Sequence, residues 1–124
     1  MKFKSFLGKR GTFSVAVEGE THNVLALVFG VQSNGQHVPI EWRLNEQRHS
    51  PTGHEWGYGG SGPAQLAWCI LRECGLTKAQ CEKLYQKFKA EVITGLNQAS
   101  GFEITTEQIM AWVSKQGPGT TNNK

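Results

Sequence analysis

The stretch Gly57-Tyr-Gly-Gly-Ser-Gly-Pro-Ala-Gln-Leu-Ala67 constrains this chain more than any other. A bend with four glycines runs straight into an apolar helical pattern opened by Pro63. Glycines take backbone angles that other residues avoid, and the first turn of a helix leaves its amide donors without intrahelical partners. Such a bend gathers N–H groups around one point, where an anion, a carboxylate or a partner's backbone can sit. The same residues also have a purely structural use. The glycines let a loop pass close to a sheet, Ser61 or Gly62 caps the helix, and Pro63 takes its first position.

Before the bend the pattern is that of strands. Thr12-Phe-Ser-Val-Ala-Val17 alternates, Asn23-Val-Leu-Ala-Leu-Val-Phe29 is a β-branched apolar run, and the turn-like Glu18-Gly-Glu between them predicts a hairpin. Ser33-Asn-Gly-Gln36 carries the Asn-Gly pair of a tight turn, and His37–Leu44 continues as a third strand. Pro39 cannot donate a ladder hydrogen bond, so this strand lies at an edge or begins after the proline. Residues 45–62 show no period, and structureless loops of that length are uncommon unless they are functional.

After the bend the pattern is helical. Pro63 to Cys74 is apolar almost all round, which predicts a central, covered helix ended by Gly75 at C′. Thr77 and Gln80 form a capping box for an amphipathic helix presenting Cys81, Leu84, Tyr85, Phe88, Val92, Ile93 and Leu96; Thr105 with Gln108 opens a third, short helix. The order predicts an α+β fold, with a small three-stranded antiparallel sheet followed by three helices packed on one face. Residues 1–116 form a single domain in this reading, and 117–124 a flexible tail.

At 124 residues, with 38% apolar side chains, the chain is long enough to bury a core without metals or crosslinks. No apolar run approaches the roughly 18 residues needed to span a bilayer, and no signal-like segment follows the basic start, so a cytoplasmic location is expected. Cys69, Cys74 and Cys81 make a poor disulfide framework. On a helix the first two point about 140° apart, and no CxxC pair or adjacent His completes a zinc set, so they read as buried thiols. The net charge of +3 is unevenly placed: Lys2, Lys4, Lys9 and Arg10 all precede the first acidic residue, Glu18. They form either a basic arm for nucleic acid or an acidic protein, or a solvated terminus.

Gly57 to Gly62 formally satisfies G-x-G-x-x-G, but a Rossmann unit needs a buried strand before the glycines and a parallel strand after the helix, and neither is predicted. Walker A fails for want of the Lys-Ser/Thr pair, so no cofactor and no metal are expected. Arg48, His49, His54, Glu55, Tyr58, Gly59, Gly60, Ser61 and Gln65 are the candidate binding residues. Ser61 with His49 or His54 supplies the parts of a nucleophilic pair, although no G-x-S-x-G elbow is present, and no catalytic residue is assigned. The run His49-Ser-Pro-Thr-Gly53 also reads simply as a turn, and Trp56 and Tyr58 as anchors of the loop. Trp42, Arg43 and Arg48 form a weaker aromatic and basic candidate for single-stranded nucleic acid.

The stretch from His49 to Ala67, with WGYGGSGPAQLA at its centre, resembles the hallmark of an uncharacterised family of small bacterial, archaeal and phage proteins. The likeness extends through Leu84–Val92 and Ile104–Trp112, covering roughly 45 to 113. Trp68-Cys69 departs from the small or aliphatic residues usual there, and the N-terminal strands match less clearly. The resemblance transfers no activity. Occurrence in phages and mobile elements implies an accessory role, which could include blocking a host defence complex. The leading expectation is therefore a non-enzymatic protein that docks on a protein or ribonucleoprotein through the 48–65 loop and nearby basic residues. The alternative is an enzyme or sensor holding a phosphorylated small molecule or nucleotide at the glycine-rich loop and helix N-terminus. A purely structural subunit is a third possibility.

Overall fold

A computed structural model describes residues 2–50 and 53–117. It has an α+β architecture, with strands β1 (Ser5–Val17), β2 (Glu20–Val31), β3 (His37–Pro39) and β4 (Phe102–Thr105) and helices α1 (Ser61–Glu73), α2 (Lys78–Phe88) and α3 (Thr106–Ser114). The sheet is antiparallel, in the order β3-β2-β1-β4, and so has four strands where the sequence predicts three. The missed strand is Phe102-Glu-Ile-Thr, which pairs Ser5–Gly8 of β1. Four residues leading directly into a helix cap carry too little alternation to be seen as a strand.

β1 also begins earlier than its alternation suggests. Ser5 to Gly8 pairs both β2 and β4, and Lys9 and Arg10 continue the pairing with β2, so this part of the expected basic arm belongs to a central strand. Its inward positions are Phe6 and Gly8, with outward Lys9 alongside, and a glycine facing the core erases the apolar signal. Gly8 is required there, because a Cβ would overlap the ring of Phe102 and reach Trp56. The β1–β2 hairpin turns at Glu18-Gly19, both at positive φ, as a primed two-residue turn demands. β3 lies at the sheet edge and stops at Pro39, well short of the expected Leu44.

The helices close over one face of the sheet. Phe6, Ala26, Val28 and Ile40 share a core with Leu66, Ile70, Leu84, Phe88, Ile109 and Val113. α1 is buried from Gly62 to Leu71 without a break, as its all-round apolar pattern predicts. It ends in a Schellman motif, with Gly75 N–H donating to Arg72 O and Leu76 N–H to Leu71 O. Both predicted capping boxes form, Thr77 with Gln80 and Thr105 with Gln108. A π-helical turn, Lys89–Ile93, continues α2. A smaller cluster of Val24, Leu27, Trp42 and Leu44, with Phe13 and Phe29 against it, supports the outer part of the hairpin.

No helix among the described residues is long and apolar enough to cross a membrane. The expected tail beyond Gly117, and Pro51 and Thr52 of the expected turn, lie outside the described residues.

Candidate functional site

The bend is held from below by Trp56. Its indole is fully buried, donates to Asn97 O at 3.1 Å and Ser100 O at 3.0 Å, and meets the Phe102 ring edge-on at 4.9 Å. Arg10 covers the other side of that indole, 4.1 Å from the ring centre, while pairing with Glu55 at 2.7 Å and donating through Nε to Gln98 O. Gly57 then passes against the 97–100 loop. Its φ is +87° and a Cβ would fall 2.5 Å from Gln98 Cα, so only glycine fits. Gly62 packs as closely on Glu55, whereas a Cβ on Gly59 would meet nothing. Three glycines of one motif thus fall into two kinds: close approach at Gly57 and Gly62, and open space at Gly59.

α1 starts two residues earlier than Pro63 at its first position predicts. Gly60 is the N-cap and offers no side-chain acceptor, and Pro63 is the third helical residue rather than the first. The first amides, those of Ser61 and Gly62, therefore face forward without intrahelical partners, and proline removes the next donor.

In front of them runs a divided groove. One cavity of about 270 Å³ is lined by Asn23–Ala26 of β2 and by residues that include His54, Glu55, Tyr58, Ser61 and Gly62. A second, of about 360 Å³, is lined by Arg10, Leu25, Glu55, Tyr58 and Gln98. Leu25, Glu55 and Tyr58 belong to both, so the two form one elongated depression. Leu25, 71% exposed, and Tyr58, 38% exposed, are the large apolar side chains that stand out among the described residues, and both are on this shared wall.

His54 is the electrostatic anomaly of the groove. It is 4% exposed, neither ring nitrogen has a hydrogen-bond partner among the described residues, and Trp42 packs on it at 6.2 Å. Burial pulls its pKa down to about 3, so the ring is neutral. The Tyr58 phenol is shifted upward, first by partial burial and then by the Glu55 charge. Since His54 has no hydrogen-bond partner among the described residues, it is not poised on Ser61, and those residues assemble no nucleophile–base pair in the groove.

The remaining candidates fall elsewhere. Gln65 is completely buried and saturated: its Oε1 accepts from His49 N and Ser50 N, and its Nε2 donates to Trp42 O and Gln47 O, each at 2.7 Å. It staples the 42–50 loop to α1 and offers a ligand no polar atom. His49 turns to α2, where its Nε2 meets the Tyr85 hydroxyl at 2.8 Å, and Arg48 pairs with Glu18 at 2.9 Å. Trp42 is buried and Arg43 pairs with Glu46 and Glu73, so the expected aromatic and basic surface with Arg48 does not form. Nor is the basic terminus a separate arm. Lys4 backbone groups bond Val31 and Thr106, Lys2 and Lys9 lie over Phe3 and Phe29, and Arg10 is committed to Glu55 and Trp56.

The three cysteines are free and buried, as their spacing suggests. Desolvation raises Cys74 and Cys81 to about 12 and Cys69 higher still. Such thiols stay protonated and unreactive. Glu46, unremarked in the sequence, receives Arg72 Nε at 3.0 Å, Trp68 Nε1 at 2.9 Å and Arg43 at 3.2 Å. The Arg72 hydrogen bond is the main reason its pKa falls to about 2. This cluster ties the 43–47 turn to α1 and stands apart from the groove. Leu25 and Gln98, which do line the groove, carry no local sign of a site.

The model of a family of unknown function (DUF6166) matches residues 18–115, and the chain belongs to that family. The match begins at the hairpin turn, so it takes in β2 and β3 as well as the glycine-rich motif. No curated protein and no solved structure matches the chain.

Proposed function

We propose that this member of a family without an assigned activity is a small non-enzymatic binding protein that docks on a protein or ribonucleoprotein through the groove face. The observation that carries this reading is the pairing of Leu25 and Tyr58. Isolated exposed apolar residues are ordinary, but these two share one depression, beside a neutralised Arg10–Glu55 pair and a loop anchored by Trp56. A rigid aromatic on a clamped loop loses little entropy when it is covered, which suits a docking anchor. The docking set is accordingly Leu25, Tyr58, Gln98 and the bend, with Arg48, His49 and Gln65 outside it. The resemblance to phage and mobile-element proteins makes a host defence complex the first partner class to try.

Capture of partners by the wild type and by a Gly59→Arg, Tyr58→Ala variant tests the proposal. Both positions are exposed, so the variant keeps the fold. The expected result is loss of the partner; identical partners for both proteins remove the groove's role.

The rival reading, a sensor or enzyme for a phosphorylated small molecule, is favoured by the uncapped N-terminus of α1 and the unpartnered His54. It is opposed by Glu55, whose carboxylate lines both cavities. A nucleotide at about 100 times its dissociation constant raises stability by roughly 2.7 kcal/mol. Unchanged melting across a nucleotide set counts against the rival and leaves the docking reading standing.

A further inference from the structure

We infer that the groove takes an extended polypeptide segment of the partner, laid along the edge of β2 at Asn23–Ala26 that no other described strand covers. The inference rests on the docking reading and specifies how contact is made.

β1 accompanies β2 from Val17↔Glu20 to Ser5↔Val31, but on the other side β3 pairs only Phe29–Val31. One further bond, Ile40 N–H to Val28 O at 3.1 Å, ends that ladder. Successive residues of an antiparallel strand turn their backbone groups to alternate sides. Val28 O points away from β1, whereas Val31 O accepts from Lys4 on the β1 side. Ala26 shares the parity of Val28, with no register shift between them, so its N–H and C=O groups also turn away from β1, where the described residues supply no strand. Asn23–Ala26 wall the first cavity, opposite His54, Tyr58, Ser61 and Gly62. Trp42, packed on Gly53 and His54, backs this cavity without lining it.

The lining selects the chemistry of the occupant. The outward donor and acceptor of Ala26, next in line after the ladder that ends at Val28, are matched by another peptide backbone, which is the general basis of strand addition. Leu25 and Tyr58 offer apolar contact on the shared wall, and Ser61 and Gly62 at the start of α1 line the same cavity as Ala26. The occupant is neutral at this point, because Glu55 lines both cavities and is already matched by Arg10. A phosphate or carboxylate would be set beside that carboxylate, and Pro63 has removed one of the donors it would need.

The test uses the intact, isotope-labelled protein and a displayed library of linear peptides. Enriched peptides are expected to slow amide exchange at Ala26 by about tenfold or more. N-methylation of alternate peptide amides is expected to weaken binding by at least about tenfold, a loss of roughly 1.4 kcal/mol. Tyr58→Ala is expected to lower affinity while leaving the unliganded spectrum intact. Absence of enriched peptides, or binding without protection at Ala26, overturns the inference. So does inorganic phosphate shifting Ser61 and Gly62 where peptides do not. If peptides fail but partner capture is still lost in the Gly59→Arg, Tyr58→Ala variant, the strand mode falls and the docking reading survives; if capture is also unchanged, both fall.

Discussion

Replacing His54 by Phe separates what this residue costs the fold from what it gives the groove. The imidazole is buried, neutral and without a partner on either nitrogen, with its pKa pulled from 6.5 to about 3 by desolvation. A buried polar group left unpaired costs about 1–3 kcal/mol, and the larger ring costs about as much in packing strain, so the net change near neutral pH is small. The pH dependence is the sharper observable. Below 6.5 the unfolded chain takes up a proton that the folded chain refuses, so stability is full above the unfolded pKa and declines as pH falls toward 3. At about pH 5, some 1.5 units below the unfolded value, the loss is roughly 2 kcal/mol at 1.36 kcal/mol per unit. Packing strain is independent of pH and cancels from this difference. Urea unfolding of wild type and His54→Phe at about pH 7.5 and 5 reads it directly. The variant is expected to gain roughly 2 kcal/mol relative to wild type at the lower pH. Parallel profiles would mean that His54 is protonated or solvated in the fold, and the account of a neutral, unpartnered ring would be wrong.

Gln65→Leu removes both acceptor and donor from four backbone groups of the 42–50 loop and is expected to cost at least about 3 kcal/mol in urea unfolding. A cost under about 1 kcal/mol would show that water replaces the amide. The two kinds of glycine in the bend should also separate. Gly57→Ala, at positive φ and against Gln98, is expected to lose about 2 kcal/mol or more, while Gly59→Ala stays within about 0.5–1 kcal/mol of wild type. Equal melting temperatures for the two variants would refute that division.

The helical half of this fold was legible because its signals are local. A Thr with Gln three residues on closes a capping box whatever the tertiary surroundings, and Gly75 ends α1 through its own backbone. The strands were legible only where alternation survived. In β1 the inward Gly8 is dictated by Phe102, which lies far away in sequence, so the requirement for glycine masks the strand that imposes it. The candidate site divides on the same ground. His54, Glu55, Tyr58 and Ser61 meet because the bend brings neighbours in sequence together. Gln65 and His49 are their neighbours only along the chain, and the rotation of α1 and the position of α2 separate them in space.

The exposure of Leu25 has a different origin, in the register of the sheet. Between the pairs Arg10↔Ala26 and Phe13↔Val24, β1 has two residues and β2 only one, which is Leu25. A bulge of this kind bends the strand and re-aims the side chains around it. Ala26 and Val28 join the main core, Val24 joins the smaller cluster with Trp42, and Leu25, opposite the extra residue, is left standing out beside Tyr58. An apolar residue in the middle of Asn23–Phe29 looks like core in the sequence. The bulge also falls next to Arg10, whose side chain clamps Glu55 and Trp56. One register shift therefore turns Leu25 outward while the adjacent arginine fixes the loop it faces. The two walls of the groove are positioned by a single irregularity of β1.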